Sequence, residues 1–433
     1  MTTQKKYNIK KVAIVGLGYV GIPLCNTFLN AGIHVVGLDV NETRIKELSN
    51  NKITLNHLSG IDLEHFINNK QVNFSTNFKE CSSCDAIIIC VPTPLDQYHQ
   101  PDLSPIKSVI KSLIPHLSNN QIISLESTTY PGTCSEEIVA PIEDAGFKVG
   151  KDIHVVYSPE REDPGNKDFD CQNTPKVIGG HTNKCLKKGV ELYSIVVDQP
   201  VPVSSCEVAE FSKLYENIYR SVNIGLANEM KVIADKLDLD IFEIINAAAT
   251  KPFGFSAFYP GPGVGGHCIP VDPAYLNWKA KSKNVYSRLI DTAMEVNRNI
   301  SDFVIDKLSA ELNKRGKSIN GAKLLILGVS YKSNIDDIRE SPALSIIDKL
   351  LELKADISYD DSFVSKASLG KRGTKIKKVK NLTSSEASIR EYNAILLLTN
   401  HDYYDYSSIE KFANLVIDTR GVFSNNKSNI ERG

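Results

Sequence analysis

From Lys11 to about Val197, short apolar runs alternate with amphipathic stretches: "KVAIVG", "HVVGLD", "DAIIICVP", "QIISLES" and "IHVVYSPE". Runs of this length, rich in branched residues and bounded by polar or turn-forming ones, predict strands, and the stretches between them predict helices. Such alternation predicts a parallel sheet covered by helices on both faces. Between Ser205 and Asp238 the period changes. Phe211, Leu214, Ile218, Val222, Leu226, Met230, Ile233 and Leu237 recur every three or four residues, which predicts one helix of about nine turns. A helix of that length links domains or pairs with a partner subunit. A second helical stretch runs from about Ser287 to Lys314. After Gly321 the strand-helix rhythm returns with "AKLLILGVSY", "SPALSIIDKLLELK", "ADISYDD", "AILLLTN" and "LVIDTRG". The predicted layout is therefore α/β: a doubly wound domain over 1–200, a helical middle over 201–316 and a second doubly wound domain over 317–433.

The first predicted strand ends in "VAIVGLGYVG", where Gly16, Gly18 and Gly21 form G-x-G-x-x-G, with Tyr19 and Val20 inside the turn. At a strand-to-helix junction this pattern places backbone N–H groups and a helix N-terminus where they can hold a pyrophosphate. The next strand, "HVVGLD", ends in Asp39, 18 positions past Gly21, placed to accept hydrogen bonds from both hydroxyls of an adenosine ribose. Together they predict a Rossmann-like dinucleotide site. A carboxylate there repels a 2′-phosphate, and Arg44 is the nearest basic side chain, so the cofactor read from these residues is NAD.

A second stretch, "GPGVGGHCIPVDP" from Gly261 to Pro273, sets Cys268 among glycines and prolines with Asp272 four residues on. Glycines allow a backbone to approach a ligand closely and prolines stiffen the approach. Beside a nicotinamide, such a thiolate can add to an aldehyde; the thiohemiacetal gives up a hydride to become a thioester, which water hydrolyses. That chemistry needs a cation or amide for the oxyanion and a carboxylate for the proton of water. Lys213 and Asn217 are spaced i, i+4 on the long helix, with Arg220 a further turn along; the same spacing also describes a helix's wet face. Glu160 and Thr128 each follow a strand directly, the end of such sheets at which ligands bind.

Composition adds bounds. The 433 residues carry a formal charge of -1, which gives no support to a nucleic-acid or anionic-membrane partner. No apolar run of about 18 residues is present to span a bilayer, and "MTTQKKYNIKKVAIVG" contains no signal-peptide pattern, so the expected location is the cytoplasm. Nine scattered cysteines suit reduced thiols. "CSSC" at Cys81–Cys84 has redox or zinc spacing, but no second pair completes a metal site, so no metal is expected. The basic run from Gly370 to Asn381 lacks interleaved aromatics and is expected to be a solvated loop.

The ordered motifs "GLGYVGIPL", "VPTP…PDLS", "STTYPGT", "SPEREDPG", "KLYEN", "NE" at Asn228 and Glu229, "GGHCIPVDP", "LGVSYKSNIDDIRESP" and "DTRG" give the chain, end to end, a resemblance to the UDP-glucose/GDP-mannose dehydrogenase family. Within it, "SPEREDPGN" and "ATKPFGFSAFYPGPGVGGHCIPVDPAYLNWKA" are similar to the bacterial UDP-N-acetylglucosamine 6-dehydrogenases of surface-polysaccharide synthesis, such as O-antigen and capsule. The resemblance implies oxidation of the C6 hydroxymethyl of a UDP-sugar to a carboxylate, with two NAD consumed. It implies Cys268 as nucleophile, Lys213 and Asn217 as oxyanion stabilisers, and Thr128, Glu160 and Asp272 as organisers of water and proton transfers. By the same matching, Thr93 contacts the cofactor. Arg161, Arg220 and Gly265 belong with Glu160, Lys213 and Asn217 at the sugar, and Lys332 and Arg420 contact the nucleotide phosphates. Arg339 reaches the cofactor or the nucleotide. A dimerising central domain and a C-terminal nucleotide-holding domain are also implied, hence a homodimer or dimer-based oligomer.

One departure stands out. UDP-glucose members commonly carry a lysine between the cysteine and the aspartate, whereas "CIPVDP" has none; the proline-containing "FYPGPGVGG" approach is expected to reshape the sugar pocket instead. Two other readings stay open. A two-electron dehydrogenase of the hydroxy-acid type would share the first domain but would not need Cys268. A non-catalytic nucleotide-binding protein would keep the glycines and lose the reactive constellation.

Overall fold

The computed structural model describes residues 8–50, 66–67, 69–161, 171–266, 268–379, 386–424 and 427–433. Their contacts divide the chain into two units, Met1–Glu216 with Ala274–Val285, and Asn217–Pro273 with Tyr286–Gly433.

In the first unit, β1 (Lys11–Val15), α1 (Gly21–Asn30), β2 (His34–Leu38), α2 (Glu42–Ser49), β3 (Val72–Ser75), β4 (Ala86–Ile89), α3 (Ser104–Leu113), β5 (Gln121–Leu125), α4 (Ala140–Asp144), β6 (Ile153–Tyr157), β7 (Lys176–Gly180), α5 (Asn183–Tyr193) and β8 (Pro200–Val203) follow one another. The sheet order is β3-β2-β1-β4-β5-β6-β7-β8. Its first six strands are parallel and reverse direction of winding between β1 and β4, the place where such sheets open a ligand crevice. Positions on both faces are buried: Val12, Ile14, Ile88 and Val156 pack with Phe28 of α1 and Leu192 of α5, while Ala13, Ile87, Ile123 and Val155 fill the other side. Burial on both faces is why these strands read as nearly continuous apolar runs.

The strands expected from the apolar runs all lie parallel, and the additional strand β7 runs antiparallel to β6. β3, β7 and β8 were also not anticipated. β7 is "KVIGG" and β8 is "PVPV", compositions that local propensity places outside strands. Packing explains the glycines: a Cβ on Gly180 would lie 2.2 Å from the Leu186 nitrogen of α5. The prolines sit on the edge strand, where a missing N–H costs least.

The long helix is present as α6 (Cys206–Lys236), but its apolar stripe is not a core stripe. Leu214 and Ile218 are buried, whereas Phe211, Leu226, Met230, Ile233 and Leu237 are exposed. The buried face of its second half is small and polar instead, with Ser221, Gly225, Asn228, Lys231 and Ala234.

The second unit continues with α7 (Ile241–Ala249), the first residues of α8 (Asp272–Lys281), α9 (Arg288–Lys314), β9 (Lys323–Leu327), α10 (Pro342–Glu352), β10 (Asp356–Asp360), α11 (Lys371–Lys375), β11 (Lys377–Lys378), α12 (Glu386–Arg390), β12 (Ala394–Leu397), α13 (Tyr406–Phe412), β13 (Val416–Asp418) and β14 (Ile430–Arg432). Six parallel strands in the order β11-β10-β9-β12-β13-β14 repeat the winding of the first sheet. Val304, Leu308 and Leu312 of α9 and Ile346, Ile347 and Leu350 of α10 cover one face, and Ile389 and Ile409 pack on the other. The fold is thus α/β, with two Rossmann-like domains and a central helical part. The basic run is not a solvated loop over its described length: it forms α11 and β11, and Arg372 pairs with Asp348. Lys380 and Asn381 lie outside the described residues. Among the described residues, no helix is long and apolar enough to cross a membrane.

Candidate active site

In the first unit the three glycines have different reasons. A Cβ on Gly16 would meet the Cys90 carbonyl oxygen at 2.6 Å, and one on Gly21 would meet that of Gly16 at 1.8 Å. Those two positions are dictated by strand-to-helix packing. Gly18 is not: nothing lies within 4 Å of its missing Cβ, so the open space there fits close approach of a ligand's phosphates. No side chain caps α1. Asp39 accepts from the backbone N–H of Leu17 at 3.0 Å and of Asn41 at 2.9 Å, tying the glycine turn to the carboxylate expected at the ribose. Arg44 donates to the Leu17 carbonyl at 3.2 Å. Tyr19 and Val20 are half-buried on the turn, and Thr93 is buried past β4. These residues fit a dinucleotide.

Further along the same sheet end, Thr128 follows β5 and Glu160 follows β6. Lys213 on α6 donates to the Glu160 carbonyl oxygen at 2.6 Å. Arg161 donates to the Pro175 carbonyl and pairs with Glu216 at 2.6 Å. The rest of "SPEREDPGN" lies outside the described residues. The turn after Thr128 is pinned by a residue the sequence did not single out. Glu210, fully buried on α6, accepts from the N–H of Gly132 at 2.6 Å and of Cys134 at 2.8 Å. Burial pushes its pKa up to about 7 against those two donors. Its position three residues before Lys213 was the available signal.

In the second unit Cys268 is half-buried at the head of a helical turn. Its carbonyl accepts from Val271 N–H at 3.1 Å and Asp272 N–H at 2.8 Å, so the turn runs directly into α8. Asp272 is fully buried and accepts from Asn217 Nδ2 at 2.5 Å. Asn217 is therefore not on a wet face; Arg220, one turn on, is exposed. The approach loop is held at three points. Asn228 accepts from Gly261 N–H at 3.0 Å, and Asn228 in turn donates to Asn297. Lys231 donates to the Gly261 carbonyl at 3.2 Å. Gly266 N–H donates to the Arg339 carbonyl at 3.0 Å, and a Cβ on Gly265 would meet Tyr331 Cβ at 2.6 Å. The cysteine loop thus docks on the "YKSNIDDIRESP" segment that carries Lys332 and Arg339. The Arg339 guanidinium pairs with Asp337 at 2.7 Å. Arg420 follows β13, donates to the Leu398 carbonyl at 2.7 Å and lies against Gly261. Burial lowers its pKa to about 10, which leaves it cationic at neutral pH. The "CSSC" cysteines are buried, and burial pushes the Cys81 and Cys84 thiols up to about 12 and 11, the behaviour of inert packing residues.

Comparison with known proteins accounts for this arrangement. Residues 10–197 match the NAD binding domain of the UDP-glucose/GDP-mannose dehydrogenase family, residues 207–299 its central domain and residues 325–425 its UDP binding domain. The chain belongs to the UDP-glucose/GDP-mannose dehydrogenase family. Protein CapL of Staphylococcus aureus is 35% identical over 98% of both chains. The UDP-N-acetyl-D-glucosamine 6-dehydrogenase of Pseudomonas aeruginosa is 35% identical over 82% of this chain and 83% of that one. Among solved structures, the UDP-D-ManNAc dehydrogenase of Pyrococcus horikoshii superposes with a TM-score of 0.87 at 28% identity, covering 97% of each chain. As a family member the chain is an NAD-dependent nucleotide-sugar dehydrogenase.

Proposed function

We propose that this dehydrogenase oxidises C6 of a UDP-N-acetylhexosamine, UDP-N-acetylglucosamine first, by four electrons to the uronic acid in the cytoplasm, for surface-polysaccharide synthesis. The observation that carries the reading is the turn from Cys268 to Asp272, bonded to Asn217 of α6 and docked on the segment that carries Lys332 and Arg339. Gly16, Gly18, Gly21 and Asp39 would hold NAD, which when bound would supply the hydride acceptor for the two oxidations. Cys268 adds to the C6 aldehyde between them, and the thiohemiacetal becomes a thioester on the same sulfur. A helix N-terminal end favours negative charge there. Asn217 and Lys213 donate to the oxygen that carries charge in both adducts. Asp272, Glu160 and Thr128 order the hydrolytic water and take its proton. Lys332 and Arg420 supply cationic contacts for the diphosphate.

A UDP-N-acetylmannosamine substrate is the second reading, favoured by the likeness to the P. horikoshii enzyme. The deciding assay counts NADH per mole of limiting UDP-N-acetylglucosamine, UDP-N-acetylmannosamine and UDP-glucose. Two NADH from the first and little from the others is expected; one NADH with free aldehyde accumulating sinks the thioester scheme. Cys268→Ser should abolish the second NADH. We propose domain limits of 1–200, 201–316 and 317–433, a reading supported by the three matched segments. The exposed apolar stripe of α6 supports a homodimer, with Leu226 and Leu237 at 52% and 62% exposure. Ile233→Asp should then lower the mass seen by light scattering.

A further inference from the structure

Behind Glu160 lies a buried chain of polar side chains that the scheme above leaves unused. Lys176, at the start of β7, has a side chain only 5% exposed and stands 3.2 Å from Glu126 Oε2 and 3.7 Å from Glu160 Oε2. Its Nζ also donates to the Pro159 carbonyl at 3.4 Å. Glu126, the residue after β5, accepts from Tyr193 Oη at 2.7 Å, and that hydroxyl lies 2.7 Å from Ser124 Oγ. The Tyr193 ring is 5.2 Å from the ammonium. An ammonium is not buried without compensation. Here Glu126 and Tyr193 compensate it on the inner side, and its outer side faces Glu160.

The charges around Glu160 can be named. Lys213 of α6 acts on its carbonyl rather than its carboxylate. Arg161 donates its backbone N–H to Glu160 Oε1 at 2.7 Å while its guanidinium is committed to Pro175 and Glu216. Cys90, past β4, is half-buried and desolvation pushes its pKa well up, so it brings no charge at neutral pH; Cys171 lies on the Lys176 side. Lys176 is thus a cation directed at the carboxylate itself. Burial opposes its charge, but Glu126 and Glu160 together raise its pKa above the ordinary value.

We propose that Lys176, seated by Glu126 and Tyr193, is a positioning residue that sets a cation against the Glu160 carboxylate and aims it for proton transfer. The inference rests on the role given to Glu160 above. Lys176 acts through that carboxylate and leaves the sugar and cofactor to other groups.

The test is the pH profile of kcat/KM for the nucleotide sugar in wild type, K176R, K176Q/E126Q and E160Q, with melting temperatures followed in parallel. K176M would strand a buried carboxylate, whereas K176Q/E126Q removes both charges and keeps hydrogen-bonding atoms in place. Loss of a cation within about 4 Å raises a carboxylate's pKa by about 1 unit or more. K176Q/E126Q also removes the more distant Glu126 anion, which offsets part of that rise, so its acid limb should move up by less than about 1 pH unit, whereas K176R should retain the wild-type limb. A fall in kcat/KM with the limb unmoved in K176Q/E126Q would mean a merely structural part and overturn the proposal. A limb that persists in E160Q overturns the role of Glu160, and this inference with it. A limb lost in E160Q but unmoved in K176Q/E126Q overturns only the part assigned to Lys176.

Discussion

Gly265→Ala is the perturbation that most directly tests the docking of the cysteine loop. A Cβ at that position would lie 2.6 Å from Tyr331 Cβ, 2.9 Å from the Glu340 carbonyl oxygen and 3.1 Å from Pro342 Cδ. Ordinary contact begins at 3.4 Å, so the first of these demands a shift of about 0.8 Å. None of the three neighbours is the far end of a flexible side chain, and the loop itself must give. Cys268 is three residues on, and its turn is fixed to α8 through Val271 and Asp272. Overpacking of this kind costs about 1–3 kcal/mol, and each kcal/mol lowers Tm by about 2–4 °C for a body of about 150–250 residues. Displacement of a reacting atom by about 1 Å costs on the order of 100-fold in rate. The expected result, from NADH absorbance and calorimetry, is a kcat loss approaching two orders of magnitude with a Tm drop of several degrees. A G265A enzyme with kcat unchanged would refute the claim that the loop's seat on Tyr331 and Glu340 positions the thiol.

Gly18→Ala is the contrasting change: with open space around the missing Cβ, Tm should hold while KM for NAD rises at least about tenfold, or about 1.4 kcal/mol. Asn217→Ala removes the charge-assisted bond to buried Asp272, so unfolding should become easier by about 1.5–3 kcal/mol and kcat should fall about 100-fold or more. Glu210 gives a pH signature. Its folded pKa of about 7 lies above the ordinary 4.5, so its stabilising contribution is complete below pH 4.5 and is lost as pH rises through 7, by about 3 kcal/mol at most. Melting scans from pH 5 to 8 should show that slope in wild type and a flatter one in Glu210→Gln; equal slopes would remove Glu210 from the account.

The site was legible in the sequence wherever chemistry is local. A strand-to-helix turn needs its glycines within six residues, a ribose carboxylate must end the next strand, and a thiol followed by a carboxylate one helical turn later is visible in "CIPVD". Strands buried on both faces announce themselves by apolar runs, which is why β1, β2, β4, β5 and β6 were readable. β7 and β8 were not, because their glycines and prolines answer to α5 and to an edge position.

The periodicity of α6 correctly gave a helix but not which side is core. Apolar period marks a face that avoids water, and an exposed stripe meets that condition as well as a buried one. Similarly, Lys213 and Asn217 were identifiable, but only packing shows that one caps the carbonyl of Glu160 and the other holds Asp272. Glu126 and Lys176 left no local trace, since their partners lie 16 to 67 positions away, and Glu210, held to Gly132 78 positions away, left only its place three residues before Lys213. Sequence alone determined the fold class, the cofactor turn and the loop that presents Cys268, because these depend on short-range geometry. Tertiary structure decided which polar groups are buried together, because the cost of an unpaired buried charge is settled between distant segments and nowhere else.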